Sequence, residues 1–182
     1  MAEFERVGGR VRVVDSLPEL SAALDAELAA LHAIHVVSWA LREFRSWGVE
    51  AMWQKHRIVA AGEQAAETEA ALRSALLEAD VGITTVTHAV AATGSLVVTA
   101  SPGRPRGVSL LPTTHIALVR SEQIVPTLDS VLSAPASRTR PRLPSALHVI
   151  TGPSRTSDIE NDLTIGVHGP ASVVVILLRG SG

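Results

Sequence analysis

The chain contains no cysteine. A disulfide framework is therefore excluded, and so is any thiolate-held zinc or iron–sulfur cluster on this chain. Tyrosine is also absent, and aromatic residues make up 3% of the total. A platform for stacking single-stranded bases needs several exposed rings, so that role is not expected. Long apolar runs are missing too. The longest, residues 171–178 and 31–40, are too short or too interrupted to cross a bilayer. The first seven residues are charged where a signal peptide would be apolar. No membrane role is expected, and the expected compartment is the cytoplasm. A strong charge of one sign is likewise lacking. The net charge is −2, far from the basic footprint of a nucleic-acid binder.

What remains is a chain of 182 residues, 46% hydrophobic and 19% charged. That fits one ordinary domain, expected to run over residues 1–182, able to bury roughly two thirds of its unfolded surface. Its core has to come from Ala, Val, Leu and Ile. The charge is unevenly spread. Residues 1–80 carry 8 Lys and Arg against 13 Asp and Glu, whereas residues 81–182 carry 8 against 5. The positive second half is where an anionic ligand or partner is expected.

Residues 11–14 read as a short first strand. Ser16-Leu17-Pro18-Glu19 then has the form of a capping box, with Ser16 accepting from a free amide and Glu19 reaching back. Leu20, Ala23, Leu24, Leu28 and Leu31 follow at helical spacing. Residues 36–37 and 58–61 are strand candidates. A short helix is predicted over 40–47, ended by Gly48, and a longer one over 64–79. In the second half, residues 95–100, 115–119, 147–151 and 172–178 are near-continuous apolar runs, the mark of strands buried on both faces of a parallel sheet. Residues 86–92 and 125–132 are the predicted intervening helices. The fold class that follows is α/β, a layered, mostly parallel sheet with helices on both faces. The turn-rich loop 101–107, with two cations, and the Pro- and Arg-rich stretch 134–144, with Arg138, Arg140 and Arg142, read as flexible segments, either mobile lids or surface connections.

Three clusters carry candidate chemistry. Thr93-Gly94-Ser95 opens into a buried strand: Gly94 permits a tight turn and the hydroxyls can donate to a ligand, or the segment is a plain helix-to-strand turn. Gly152-Pro153-Ser154-Arg155-Thr156-Ser157-Asp158-Ile159-Glu160 follows an apolar strand directly. Ser154, Thr156, Ser157 and Asp158 are N-cap types, so a helix starting here would aim free amides at an anion, with Arg155 as a bidentate clamp. The competing reading is a capped helix with an Arg155–Asp158 pair. Gly166-Val167-His168-Gly169-Pro170 places His168 beside glycines, as a base, a ligand contact or a loop tie. His115 opens another strand, and His88 falls on a predicted helix. No His-x-x-x-His pair supports a metal site, no Gly-Lys-Ser/Thr element supports a Walker loop, and Gly-x-Ser-x-Gly is absent.

Asp80-Val81-Gly82-Ile83-Thr84 with Ala91-Ala92-Thr93-Gly94-Ser95, then Leu110-Leu111-Pro112-Thr113-Thr114-His115-Ile116, then Gly152 to Glu160, then Gly166 to Pro170, together resemble the LUD (lactate utilization) domain family. The resemblance is strong over residues 80–178 and only general in layout before them. It implies a fold similar to the sugar-phosphate isomerase and CoA-transferase (NagB/RpiA/CoA transferase-like) superfold. It also implies a role beside iron–sulfur partner proteins that oxidise L-lactate to pyruvate, with the clusters on those partners and none on this chain. The family commonly has an acidic residue just before Thr-Gly, where this chain has Ala92. A covalent CoA-transfer mechanism through that carboxylate is therefore not expected. The alternative is a stand-alone enzyme or binding protein for a phosphorylated or CoA-like small molecule.

The motifs yield one geometric expectation, that Thr93-Gly94-Ser95, Gly152 to Asp158 and His168-Gly169 line one cleft. Two of these precede their strands and one follows its strand. In a purely parallel sheet they would fall at opposite edges, so convergence requires an antiparallel strand or a long excursion.

Overall fold

The computed structural model describes residues 1–61, 69–132, 144–157, 163–166 and 168–180. In chain order the elements are α1 (Ala2–Arg6), β1 (Arg10–Val14), α2 (Leu17–Ala30), β2 (Val36–Ser38), α3 (Glu50–Lys55), β3 (Val59–Ala60), α4 (Glu69–Glu78), β4 (Val81–Thr85), β5 (His88–Val90) and β6 (Ser95–Ala100). They continue with α5 (Gly107–Leu110), β7 (Thr114–Arg120), β8 (Ile124–Val125), α6 (Leu128–Leu132), β9 (Ala146–Ile150), β10 (Arg155–Ser157), β11 (Leu163–Ile165) and β12 (Ser172–Leu178). The result is an α/β architecture whose six-stranded sheet, in the order β1-β12-β7-β4-β2-β3, pairs its strands in parallel.

The central strands are built as their sequences require. β4, β7 and β12 are buried almost end to end, which suits continuous Val, Ile and Leu runs with packing on both faces. α2 starts where the capping box places it. The Glu19 amide donates to Ser16 Oγ at 3.4 Å and the Glu19 carboxylate accepts from the Asp15 amide at 3.0 Å. Leu20, Leu24 and Leu28 are fully buried along one stripe of this helix, and each such leucine contributes about 1.5–3 kcal/mol relative to exposure. α2 packs along β1 and β12.

A second layer departs from the sequence-based expectation. Residues 86–92 form no helix; β5 lies there and pairs antiparallel with β6. The alanines argue for helix, but Val86, Thr87 and Val90 are β-branched, and tertiary pairing decides between the two. β6 also pairs antiparallel with β9, giving a separate four-stranded sheet in the order β8-β5-β6-β9. Residues 147–151 thus do not join the parallel sheet. Leu147 and Val149 are 42% and 43% exposed, as expected of a strand with one face toward solvent.

Residues 40–47 give only a 3₁₀ turn at Leu41–Glu43 before further turns. Residues 125–132 divide at Pro126 into the end of β8 and the short α6, because proline cannot supply the amide that either ladder needs. The predicted helix over 64–79 appears as α4 from Glu69, and its first residues lie outside the described ones. No helix among the described residues is long and apolar enough to cross a membrane.

Candidate functional site

The antiparallel pairing of β6 with β9 decides where the motifs meet. Leu96 lies opposite Ile150, so the residue that opens β6 lies next to the residue that follows β9. Ser95 Oγ is 2.7 Å from Thr93 Oγ1 on one side and 2.7 Å from Thr151 Oγ1 on the other. Each hydroxyl both donates and accepts, so the three form a continuous relay. Beyond Thr151 the chain turns through Gly152, at φ +75°, a conformation glycine adopts without strain. The Ser154 amide then donates to the Pro170 carbonyl at 2.9 Å, and the Gly166 amide donates to the Ser154 carbonyl at 3.0 Å. A Cβ on Gly169 would sit 3.4 Å from that of Ser154. The structure thereby brings Thr93, Gly94, Ser95, Gly152, Ser154 and Gly169 into one connected set of loops.

The residues that fill this set of loops come from the start of the chain. Phe4 of α1 is buried, and a Cβ on Gly94 would overlap the backbone of Glu3 and Phe4. Gly152 is held equally close to the Val7 carbonyl. Arg155 Nη2 donates to that carbonyl at 3.1 Å. What lies beneath is a cavity of about 50 Å³ lined by Met1, Phe4, Gly94, Ser95, Leu96 and Val175 among others. That is far below the roughly 300–1,000 Å³ of small-molecule sites. Neither Thr151 nor Phe4 was singled out by the motifs. The signal for Thr151 is a hydroxyl directly ahead of Gly152-Pro153. Phe4 is one of two phenylalanines in an aromatic-poor chain.

Among the described residues no helix starts after Gly152. Arg155–Ser157 is β10, paired antiparallel with β11. Thr156 and Thr164, both of a β-branched type that suits strands, are partners in that register. Asp158 lies outside the described residues, as do Ile159, Glu160 and most of the 134–144 stretch with its three arginines. Pro153 is half-buried, and His168 stands exposed in a turn. Ala92 is exposed, its amide donating to the Pro126 carbonyl at 3.0 Å.

His115 belongs to a different environment. It is fully buried in β7, with Nε2 2.8 Å from Thr84 Oγ1. Burial pushes its imidazole down to about 4, because a charged ring would be stripped of water there. Gly82 lies opposite His115 in the register, and a Cβ on Gly82 would overlap the Val108 carbonyl of α5. His115 is therefore neutral and packed beneath α5. Among the described residues no group of three metal-ligating side chains comes together. Asp80, the first residue of the Asp80 to Thr84 motif, accepts from the His35 and Ile34 amides at 2.9 Å each. These bonds hold its carboxyl below the ordinary aspartate value, and its role is to tie the start of β4 to the start of β2.

A family model described as the LUD domain matches residues 1–178. Lactate utilization protein C from Halalkalibacterium halodurans is 32% identical over 165 residues, 88% of this chain and 69% of that protein. The protein of the same name from Exiguobacterium sp. is 39% identical over 111 residues, 60% of this chain and 48% of its own length. That from Bacillus subtilis is 43% identical over 103 residues, 56% and 43% respectively. The chain thus spans about two thirds of the first relative and under half of the other two. In fold, the chain is similar to the crystal structure of a DUF162 family protein from Deinococcus radiodurans. The TM-score is 0.64 at 24% identity, covering 98% of this chain and 95% of that one.

Proposed function

Because the chain belongs to the LUD domain family, we propose that it serves lactate utilization as a non-redox subunit or accessory of an iron–sulfur complex that oxidises L-lactate to pyruvate. The observation that carries this reading is the 32% identity, over 88% of the chain, to a protein named for lactate utilization. The absence of cysteine supports the non-redox part, since electrons would have to travel through cysteine-bearing partners. The cavity beneath the motif loops, about 50 Å³, is far below the roughly 300–1,000 Å³ of small-molecule sites, so these loops add no support to the stand-alone reading.

Deleting the gene from the organism that encodes it tests the physiological part. Growth on L-lactate should fail while growth on pyruvate continues, and unchanged growth on lactate overturns the assignment. A carboxyl-terminally tagged copy recovered from lactate-grown cells should bring down cysteine-rich iron–sulfur proteins. Recovery without them overturns the complex.

A further inference from the structure

We infer that the groove beside the 101–107 loop is a binding site for a small oxyanion, a carboxylate or phosphate group carried on a compact organic molecule. The groove encloses about 420 Å³ and is lined by Ser101, Arg104, Arg106, Gly107 and Ser145 over a floor that includes Ala100 and Ala146. That volume falls within the range of small-molecule sites, roughly 300–1,000 Å³, and half of the lining residues, Ser101, Arg104, Arg106 and Ser145, are polar or charged, which suits a charged ligand.

Electrostatics sets the sign of the ligand. Three guanidinium groups, Arg42, Arg104 and Arg106, gather on or beside this loop. Arg42 and Arg104 share one carboxylate, that of Glu43. Arg106 is exposed and has no carboxylate partner among the described residues. Among the described residues the local balance is an excess of positive charge; Ser101 lines the groove beside it, and the Ser145 hydroxyl, which donates to the Ala100 carbonyl at 3.0 Å, is left to accept. Guanidinium groups pair with carboxylate and phosphate oxygens in two-point fashion.

Preorganisation is the second argument. Arg104 Nε donates to Glu43 Oε2 at 2.7 Å, and its guanidinium lies 5.4 Å from the Trp39 ring centre. Both contacts fix its plane. The loop itself is clamped at three further points. The Ala40 amide donates to the Gly103 carbonyl at 2.9 Å, Arg42 Nη2 donates to the Pro102 carbonyl at 2.7 Å, and Trp39 Nε1 donates to the Pro105 carbonyl at 3.2 Å. The expectation of a flexible segment over 101–107 is thus replaced by a rigid arm. The clamped loop fixes the backbone from which Arg106 projects and holds the Arg104 charge beside the groove, so less ordering remains for binding than on a loose loop. This inference stands independently of the lactate reading.

Titration calorimetry on the full chain tests it, with inorganic phosphate and L-lactate as separate probes against sodium chloride at matched ionic strength. Saturable binding is expected for at least one probe. Which probe binds distinguishes a phosphate source from a carboxylate source. Arg106→Gln should weaken that binding about tenfold or more, the cost of losing one charged hydrogen-bond donor. Arg12→Gln, on the exposed part of β1, should leave it unchanged. Backbone amide resonances of Ser101, Arg104, Gly107 and Ser145 should shift on titration. No saturable binding of either probe, equal binding by Arg106→Gln, or shifts mapped elsewhere would each overturn the site.

Discussion

Arg155 and Val7 stand 148 positions apart in the chain, yet Nη2 of Arg155 donates to the Val7 carbonyl at 3.1 Å. The cation that the motif offers as an anion clamp is used in this structure as a fastener for the first nine residues. Substituting Arg155→Gln should release that segment. Hydrogen exchange at the Gly8 and Gly9 amides, which bond back to Glu5 and Phe4, should accelerate. Global stability should fall by about 1 kcal/mol, the typical worth of one such bond. Unchanged exchange at both amides would show that Phe4 alone holds the segment.

Gly94 sits at φ +62° with the backbone of Glu3 and Phe4 where a Cβ would project. Gly94→Ala carries two penalties, roughly 1–2 kcal/mol for the left-handed backbone and about 1–3 kcal/mol for forced overlap. Urea denaturation should show the sum of the two. Combined with Arg155→Gln, which frees the first residues to move aside, the overlap part should shrink and the two substitutions should be less than additive. Strict additivity would contradict the packing described here.

His115 gives the fold a pH dependence whose sign is fixed. Its folded value, about 4, lies below the ordinary 6.5, so between those limits the unfolded chain takes up a proton that the folded ring refuses. The stability due to the neutral buried ring is complete above pH 6.5. It declines as the pH falls and reaches its floor below about 4. The full interval corresponds to about 3 kcal/mol, of which about 2 kcal/mol is lost by pH 5. His115→Gln keeps a partner for Thr84 but does not titrate. Its stability, measured by urea denaturation, should change less between pH 7 and pH 5 than that of the parent chain. Parallel slopes would mean that the ring is protonated or solvated in the fold.

The parallel sheet was legible because β7 and β12 are unbroken apolar runs, and α2 because Ser16 and Glu19 announce it. The second sheet was not. Its strands are equally apolar, and only position in the fold separates a strand buried on both faces from one such as β9 that exposes Leu147 and Val149. The loop cluster was half legible. Gly94, Gly152 and Gly169 each signal a close backbone approach; Gly94 and Gly152 mark one, whereas Gly169 meets only the Ser154 side chain at ordinary contact distance. No local pattern says what approaches, and in this fold the residues at Gly94 and Gly152 belong to the chain itself. Gly152 to Glu160 misled for a related reason. Ser, Thr and Asp favour a helix cap when read singly, but residues 155–157 pair across to β11, and cross-strand pairing outweighs a capping preference worth about 1 kcal/mol.

The pairing of β1 with β12 also governs how the protein is made. Arg10 lies opposite Val174 and Val14 opposite Leu178, and Arg179 closes the edge with a two-point ion pair to Asp15. A ribosome adds about 5–20 residues per second, so β1 waits roughly ten to thirty seconds after its own synthesis before its partner strand exists. During that interval α2, which packs on both strands, lacks half of its seat. Segments held open in this way are exposed to aggregation. This edge of the sheet therefore closes only after translation has passed Leu178.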